Sequence, residues 1–298
     1  MYDKSDPRAA LAPAKSALSE NGLVAIAQEG HFYSSPPQVD DATGQSWSLR
    51  AQNIVVIWTE AAPGASFARV DQCDEYAVLL PAAGARIEWN GSSAEVPGHS
   101  IVFIPPGDST VTLPTGGSFV RLISTQSKDV VQGASNAAAY DVPRSHIPEF
   151  TPWPEPVNGW KIRSYSLDVP KQDGRFGRIF RCTTMMVNVL DPTPGPRDST
   201  KMSPHYHDDF EQVSLAVRGK FTHYLRWPWT TDMADWKDDL TVEMGSPSAL
   251  VIPPPVIHTT RAIGGDENHL VDIFSPPRRD FSDEPGWVLN ADDYPMPT

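Results

Sequence analysis

The chain predicts an all-β protein made of two tandem barrels or sandwiches, and three observations carry that prediction. Short runs rich in β-branched and aromatic residues recur along it, such as IVVIW (54–58), FARV (67–70) and FVRLIS (119–124). Proline and glycine punctuate these runs at short, regular spacing, which favours a sandwich or barrel over alternating strand and helix units. The two halves of the chain also resemble each other: GARIEWNGSSAEVPGHSIVFIPPGDST matches GKFTHYL followed by VEMGSPSALVIPPPVIHTT.

The elements follow in order. Residues 1–45 read as an arm on the outside of a barrel or on a partner, with one short helix over 16–27 that Asn21-Gly22 tends to break. Residues 46–140 form a first domain. In it EYAVLLPAAGARIEW (75–89) reads as strand, turn, strand, and GHSIVFIPPGDSTVTL (98–113) repeats the pattern. Residues 141–160, rich in proline and aromatics, read as an ordered linker, and 161–298 as the second domain.

Composition excludes several classes. The net charge of −13 disfavours a nucleic-acid backbone or an anionic membrane as partner. Cys73 and Cys182 are the two cysteines, too few for a disulfide framework or a thiolate metal site. No apolar run is long enough to span a membrane, and the charged N-terminus does not read as a secretory signal, so a cytoplasmic protein is expected.

The stretch SPHYHDDFEQVSLAVRG (203–219) carries the chemistry. Strand side chains alternate faces, so His205, His207 and Glu211 share one face if the stretch stays extended, with Val213 and Leu215 in the same parity. Gln212 and Ser214 take the other face. The intervening DDF is a place where the pleat can break. Imidazole and carboxylate together suit Mn, Fe, Co, Ni or Zn better than an ion that prefers oxygen alone. A further histidine, His258 in LVIPPPVIHTT, lies far downstream.

Here the chain resembles the cupin superfamily. Its first motif is roughly His-x-His, three or four residues, Glu, then six residues to a glycine. The match is His205, His207, Glu211 and Gly219, one residue longer at the end. The second motif matches Gly245, Pro253 and His258, but an asparagine that often follows is Ala262 here. The resemblance implies two jelly-roll (double-stranded β-helix) barrels in tandem. It also implies one divalent transition metal (Fe, Mn, Ni or Zn) held by His205, His207, Glu211 and His258. Superposing Glu75 on Glu211 puts Arg69 and Asp71 where the histidines stand, so the first copy reads as degenerate and without a metal site.

Other residues are candidates around such a metal. His223 and Tyr224 on the next strand are candidate acids or bases. Arg178, Arg181 and Arg226 are candidate clamps for a substrate carboxylate. Trp227 belongs to a tryptophan-rich insertion (225–240) that reads as a rim or lid over the barrel mouth, or as a dimer contact; a homodimer is among the expected assemblies. The expected function is a metal-dependent enzyme on a small organic acid, with an Fe(II) dioxygenase as the first reading. A non-redox isomerase or lyase on a sugar or organic acid is the second reading, and a non-catalytic metal- or ligand-binding bicupin the third.

Overall fold

The structure is a computed structural model and describes residues 24–230 and 232–298. Its strands form four antiparallel sheets in two pairs. The N-terminal pair has a seven-stranded sheet in the order Arg163–Ser166, Ser100–Ile104, Tyr76–Leu80, Gly117–Ser124, Ile54–Ala61, Gly44–Arg50, Val39–Asp41. A four-stranded sheet faces it: Ala65–Gln72, Gly107–Leu113, Ala85–Trp89, Ser92–Val96. The C-terminal pair repeats the plan. Its large sheet runs Gln28–Gly30, Ser248–Ile252, Gln212–Arg218, Glu267–Phe274, Met186–Val189, Arg178–Arg181, with Thr193–Pro194 pairing to one side of it. Its small sheet is Leu240–Met244, Phe221–Arg226, Ile257–Ala262.

The large sheets are apolar on both faces because both are covered. One face of each closes over its own small sheet; Val78, Ile104, Ile87, Val111 and Leu113 share one such interior. The other faces pack against each other and bring Leu79, Phe103 and Leu122 of the first barrel together with Val187, Val213, Leu215 and Val251 of the second. That is why runs such as YAVLL (76–80) and SALVI (248–252) show no alternation of apolar and polar residues.

Two strands are exchanged. Gln28–Gly30, within the predicted arm, pairs with Ser248–Ile252 of the second barrel. Arg163–Ser166, placed by sequence in the second domain, pairs with Ser100–Ile104 of the first. Boundaries drawn at 45 and 161 therefore do not follow the sheets, because an edge strand joins whichever unpaired backbone lies beside it in space. The helix expected over 16–27 lies outside the described residues as far as 23, and residues 24–27 have no regular structure.

Two buried carboxylates clasp the barrels. Glu75 of the first accepts from Thr183 N and Thr183 Oγ1, both at 3.0 Å, and from Tyr294 Oη at 2.6 Å. Glu211 of the second accepts from Gln52 N at 2.7 Å and from Tyr140 Oη at 2.8 Å. Each glutamate thus takes one backbone N–H from the opposite barrel and one phenol from the segment that follows a barrel. Burial raises both carboxyls above their ordinary range, Glu211 to about 7, although these donors pull the other way.

Candidate metal centre

Three of the predicted ligands come together. One ligand atom each from His205, His207 and His258 lies within 4.8 Å of the other two. Backbone pairing fixes the first and last: His205 N donates to His258 O at 3.0 Å, and His258 N to His205 O at 2.8 Å. Their rings are held alike. His205 Nδ1 lies 2.8 Å from Ser203 O, and His258 Nδ1 lies 2.9 Å from Val256 O. A carbonyl only accepts, so each Nδ1 carries the proton and each Nε2 keeps its lone pair, as a metal ligand requires. Burial, then the positive charge of Arg278 and the neighbouring histidines, holds His207 well below the usual imidazole range, so it is neutral. Three imidazoles converging in this way fit a transition ion.

Glu211 does not join them. Its carboxylate lies on the clasp described above, facing the other barrel with Val213 and Leu215. The reason is a parity slip. Residues 206–211 are not strand, and the chain bends at Asp208–Asp209, so alternation counted from the histidines is out of step by the time Gln212–Arg218 begins. Gln212 points inward instead, with its Oε1 3.1 Å from His207 Nε2. Its amide orientation is set behind it, where Gln212 Nε2 donates to Asp272 Oδ1 at 3.0 Å; Ser214 Oγ donates to the same oxygen at 2.7 Å. Since a carboxylate accepts only donors, the Gln212 carbonyl must turn toward the histidines. The spacing held this signal: counted from Gln212, Gly219 follows after six residues, where the count from Glu211 is one too long.

The histidines border a cavity of about 470 Å³ lined by His205, Gln212, His258, Thr260, Leu270 and Asp272, among others. It lies between the large and small sheets of the second barrel, closed at one side by residues 193–197. Arg197, itself in the cavity lining, ties that edge together by donating to Thr260 O at 3.0 Å and to Ser203 Oγ at 3.1 Å, beside the segment that fixes His205. Asp272, Ser214 and Arg197 carry no motif, and only the folded register brings them to the site.

The other candidates go elsewhere. His223 is buried on the strand face it shares with cavity-lining Phe221 but does not itself line the cavity, with its Nδ1 2.9 Å from Thr260 Oγ1; burial and then the charge of His258 push it down to about 3. Tyr224 faces outward onto a small groove that it shares with Arg226 and Asp239. Arg226 is committed there to the Asp239 carboxylate. Arg178 donates to the carbonyls of Leu167, Val189 and Leu190. Arg181 donates to Tyr294 O and lies 5.3 Å from the Trp153 ring centre. Both arginines are buried joints of the frame, drawn in because their planar donors satisfy several carbonyls at once. Trp227 is core, its Nε1 on Ala25 O at 2.8 Å. Of the insertion's other tryptophans, Trp229 stacks on Trp236 at 5.0 Å on the surface, and neither lines the cavity.

The paired barrels define the double-barrel cupin fold. Among solved structures the chain is similar to the Lactobacillus farciminis oxalate decarboxylase formate complex, with a TM-score of 0.57 and 13% identity over 84% of this chain and 86% of that one. It is similar to an oxalate decarboxylase variant from Bacillus subtilis, with a TM-score of 0.57 and 14% identity over 84% and 77%. It also resembles AerE from Microcystis aeruginosa, with a TM-score of 0.54 and 8% identity over 85% and 99%. No protein-family model and no curated protein sequence matches the chain.

Proposed function

We propose that this protein is a metal-dependent enzyme acting on a small organic acid in its C-terminal barrel. The observation that carries the reading is the convergence of His205, His207 and His258 beside a cavity that His205 and His258 line, with those two rings locked in the ligating tautomer. These three would hold the ion, with Gln212 Oε1 beside them, 3.1 Å from His207 Nε2. A bound divalent ion supplies Lewis acidity and, as Fe(II), a place for O₂. The set holds no anionic ligand once Glu211 is removed from it, so the site keeps most of the ion's positive charge. That favours an anionic partner, and the acid-handling neighbours, oxalate decarboxylases, agree with it.

The protein's own part is positioning and a partly apolar wall. Leu190, Phe221, Ala262 and Leu270 wall the cavity with apolar surface, which strengthens every charge interaction within it. Dioxygenation of the acid is the first reaction to test. A second reading, isomerisation or elimination by proton transfer, is favoured by Asp272, a carboxylate in the cavity wall able to take a proton from a bound substrate. Elemental analysis of the purified protein, followed by a panel of organic acids under air and under nitrogen, tests both. Turnover that consumes O₂ selects the first, and turnover under nitrogen the second. A protein that retains no transition metal overturns the proposal.

A further inference from the structure

The interior of the first barrel holds a cation that no carboxylate balances. Arg121 shares its strand face with Phe119 and Ile123, which look into that barrel between its large and small sheets. It pairs with Val78 and with Ile57 in the same register in which Asp272 of the second barrel pairs with Ser214 and Asn188. A guanidinium fork carries donors on both of its edges. Among the described residues its one hydrogen bond runs from Nη2 to Thr59 Oγ1 at 3.3 Å. Its Nε is sealed from solvent and has no acceptor. The guanidinium carbon lies 5.0 Å from the Phe67 ring centre and 5.4 Å from that of Phe119. Ring faces attract a cation, but they accept none of the N–H groups in its plane.

Other arginines drawn into the fold are provided for. Arg163 donates to the carbonyls of Val157 and Gly159, Arg178 to those of Leu167 and Leu190, and Arg278 pairs with Asp280. Arg69, whose charge reaches Arg121 across the barrel, pairs with Asp129 and donates from Nε to Gln72 Oε1 at 2.8 Å. Burial pulls the Arg121 pKa down to about 10, with the Tyr76 phenol opposing the fall and Arg69 adding to it, so the group is still charged at neutral pH. Arg121 and Phe67 are both half-buried. Since Nε is sealed, the Nη end of the fork is the part that solvent reaches.

We infer that the first barrel binds a carboxylate carried on an apolar body, seated on the Nη end of Arg121. One unbalanced positive charge matches one negative charge, and the planar fork fits a carboxylate. The half-buried Phe67 ring beside it gives the apolar body a surface to cover. The copy that lost its histidines is then a metal-free anion site, separate from the proposed active site, and its failure would leave that proposal untouched.

The test titrates the chelator-treated full chain with benzoate and with acetate in a calorimeter. The wild type should bind benzoate more tightly than acetate. Arg121→Met should weaken benzoate by about tenfold or more, the loss of one charge-assisted contact, while His258→Ala leaves it unchanged. Benzoate binding that survives in Arg121→Met, acetate that binds as tightly as benzoate, or a wild type that binds neither overturns the inference. If Arg121→Met does not fold, Arg121→Lys identifies the Arg121 Nε–H resonance by its disappearance from the spectrum. Benzoate should shift that resonance in the wild type, and a resonance that stays in place overturns the inference.

Discussion

Where Gln212 faces the histidines of the second barrel, the first has Tyr76, hydrogen-bonded at 3.0 Å to Ser109. Ser109 pairs with Arg69 as His258 pairs with His205. Asp272 answers to Arg121, Ser214 to Val78 and Asn188 to Ile57. The two barrels therefore share a backbone and differ at almost every interior polar position. What they share in chemistry lies outside the barrels: the glutamates Glu75 and Glu211, one in each, fasten the pair. The comparison separates residues that the duplicated fold needs from those that only a site needs.

The sharpest way to break that division is through the histidines. His258→Ala should lower metal affinity by more than the roughly 10–100-fold expected of an outer partner, while Ser109→Ala at the corresponding place leaves metal content unchanged; elemental analysis and chelator competition read both. Next come the clasps. Glu75→Ala and Glu211→Ala should each destabilise the chain by about 2–4 kcal/mol in urea unfolding, because each leaves a buried backbone N–H and a phenol without an acceptor. A large metal loss in folded Glu211→Ala with little change in stability would return that residue to the ligand set.

A smaller effect belongs to the orienting carboxylate. Asp272→Leu releases the Gln212 amide and should weaken metal binding by about 10–100-fold, with Arg121→Leu in the first barrel having no effect on metal. The smallest is a pH effect. Burial raises the Glu75 carboxyl above its ordinary 4.5, so the folded chain holds that proton more tightly than the unfolded chain does. Its stabilising share is full below about pH 4.5 and fades as pH rises through the raised value. Glu75→Gln should therefore show a flatter Tm than the wild type does as pH rises above about 4.5.

Much of this was legible in the residues. Short β-branched runs with proline and glycine between them specify strands and turns locally, and a duplicated pattern announces two copies. The pairing of His-x-His with a distant histidine after a proline turn needs only that each sit near a strand end, so the convergence of those histidines could be read directly. Glu211 could not be placed in the same way. Parity is a local rule, and it fails across the bend at Asp208–Asp209. The apolar neighbours Val213 and Leu215 gave no warning, because a sheet buried on both faces is apolar on the outside too. Arginines and a tryptophan that look available in a sequence were taken up by carbonyls and core packing.

The amino-acid order alone thus determined the β class, the duplication, the loss of histidines from the first copy and three histidines fit for a metal. Only the tertiary structure decided which side of each strand looks inward. It made a clasp of Glu211, turned Gln212 to the histidines, and set Asp272 in the cavity wall. Those choices depend on contacts between strands far apart in the chain, and such contacts exist only once both large sheets have packed together.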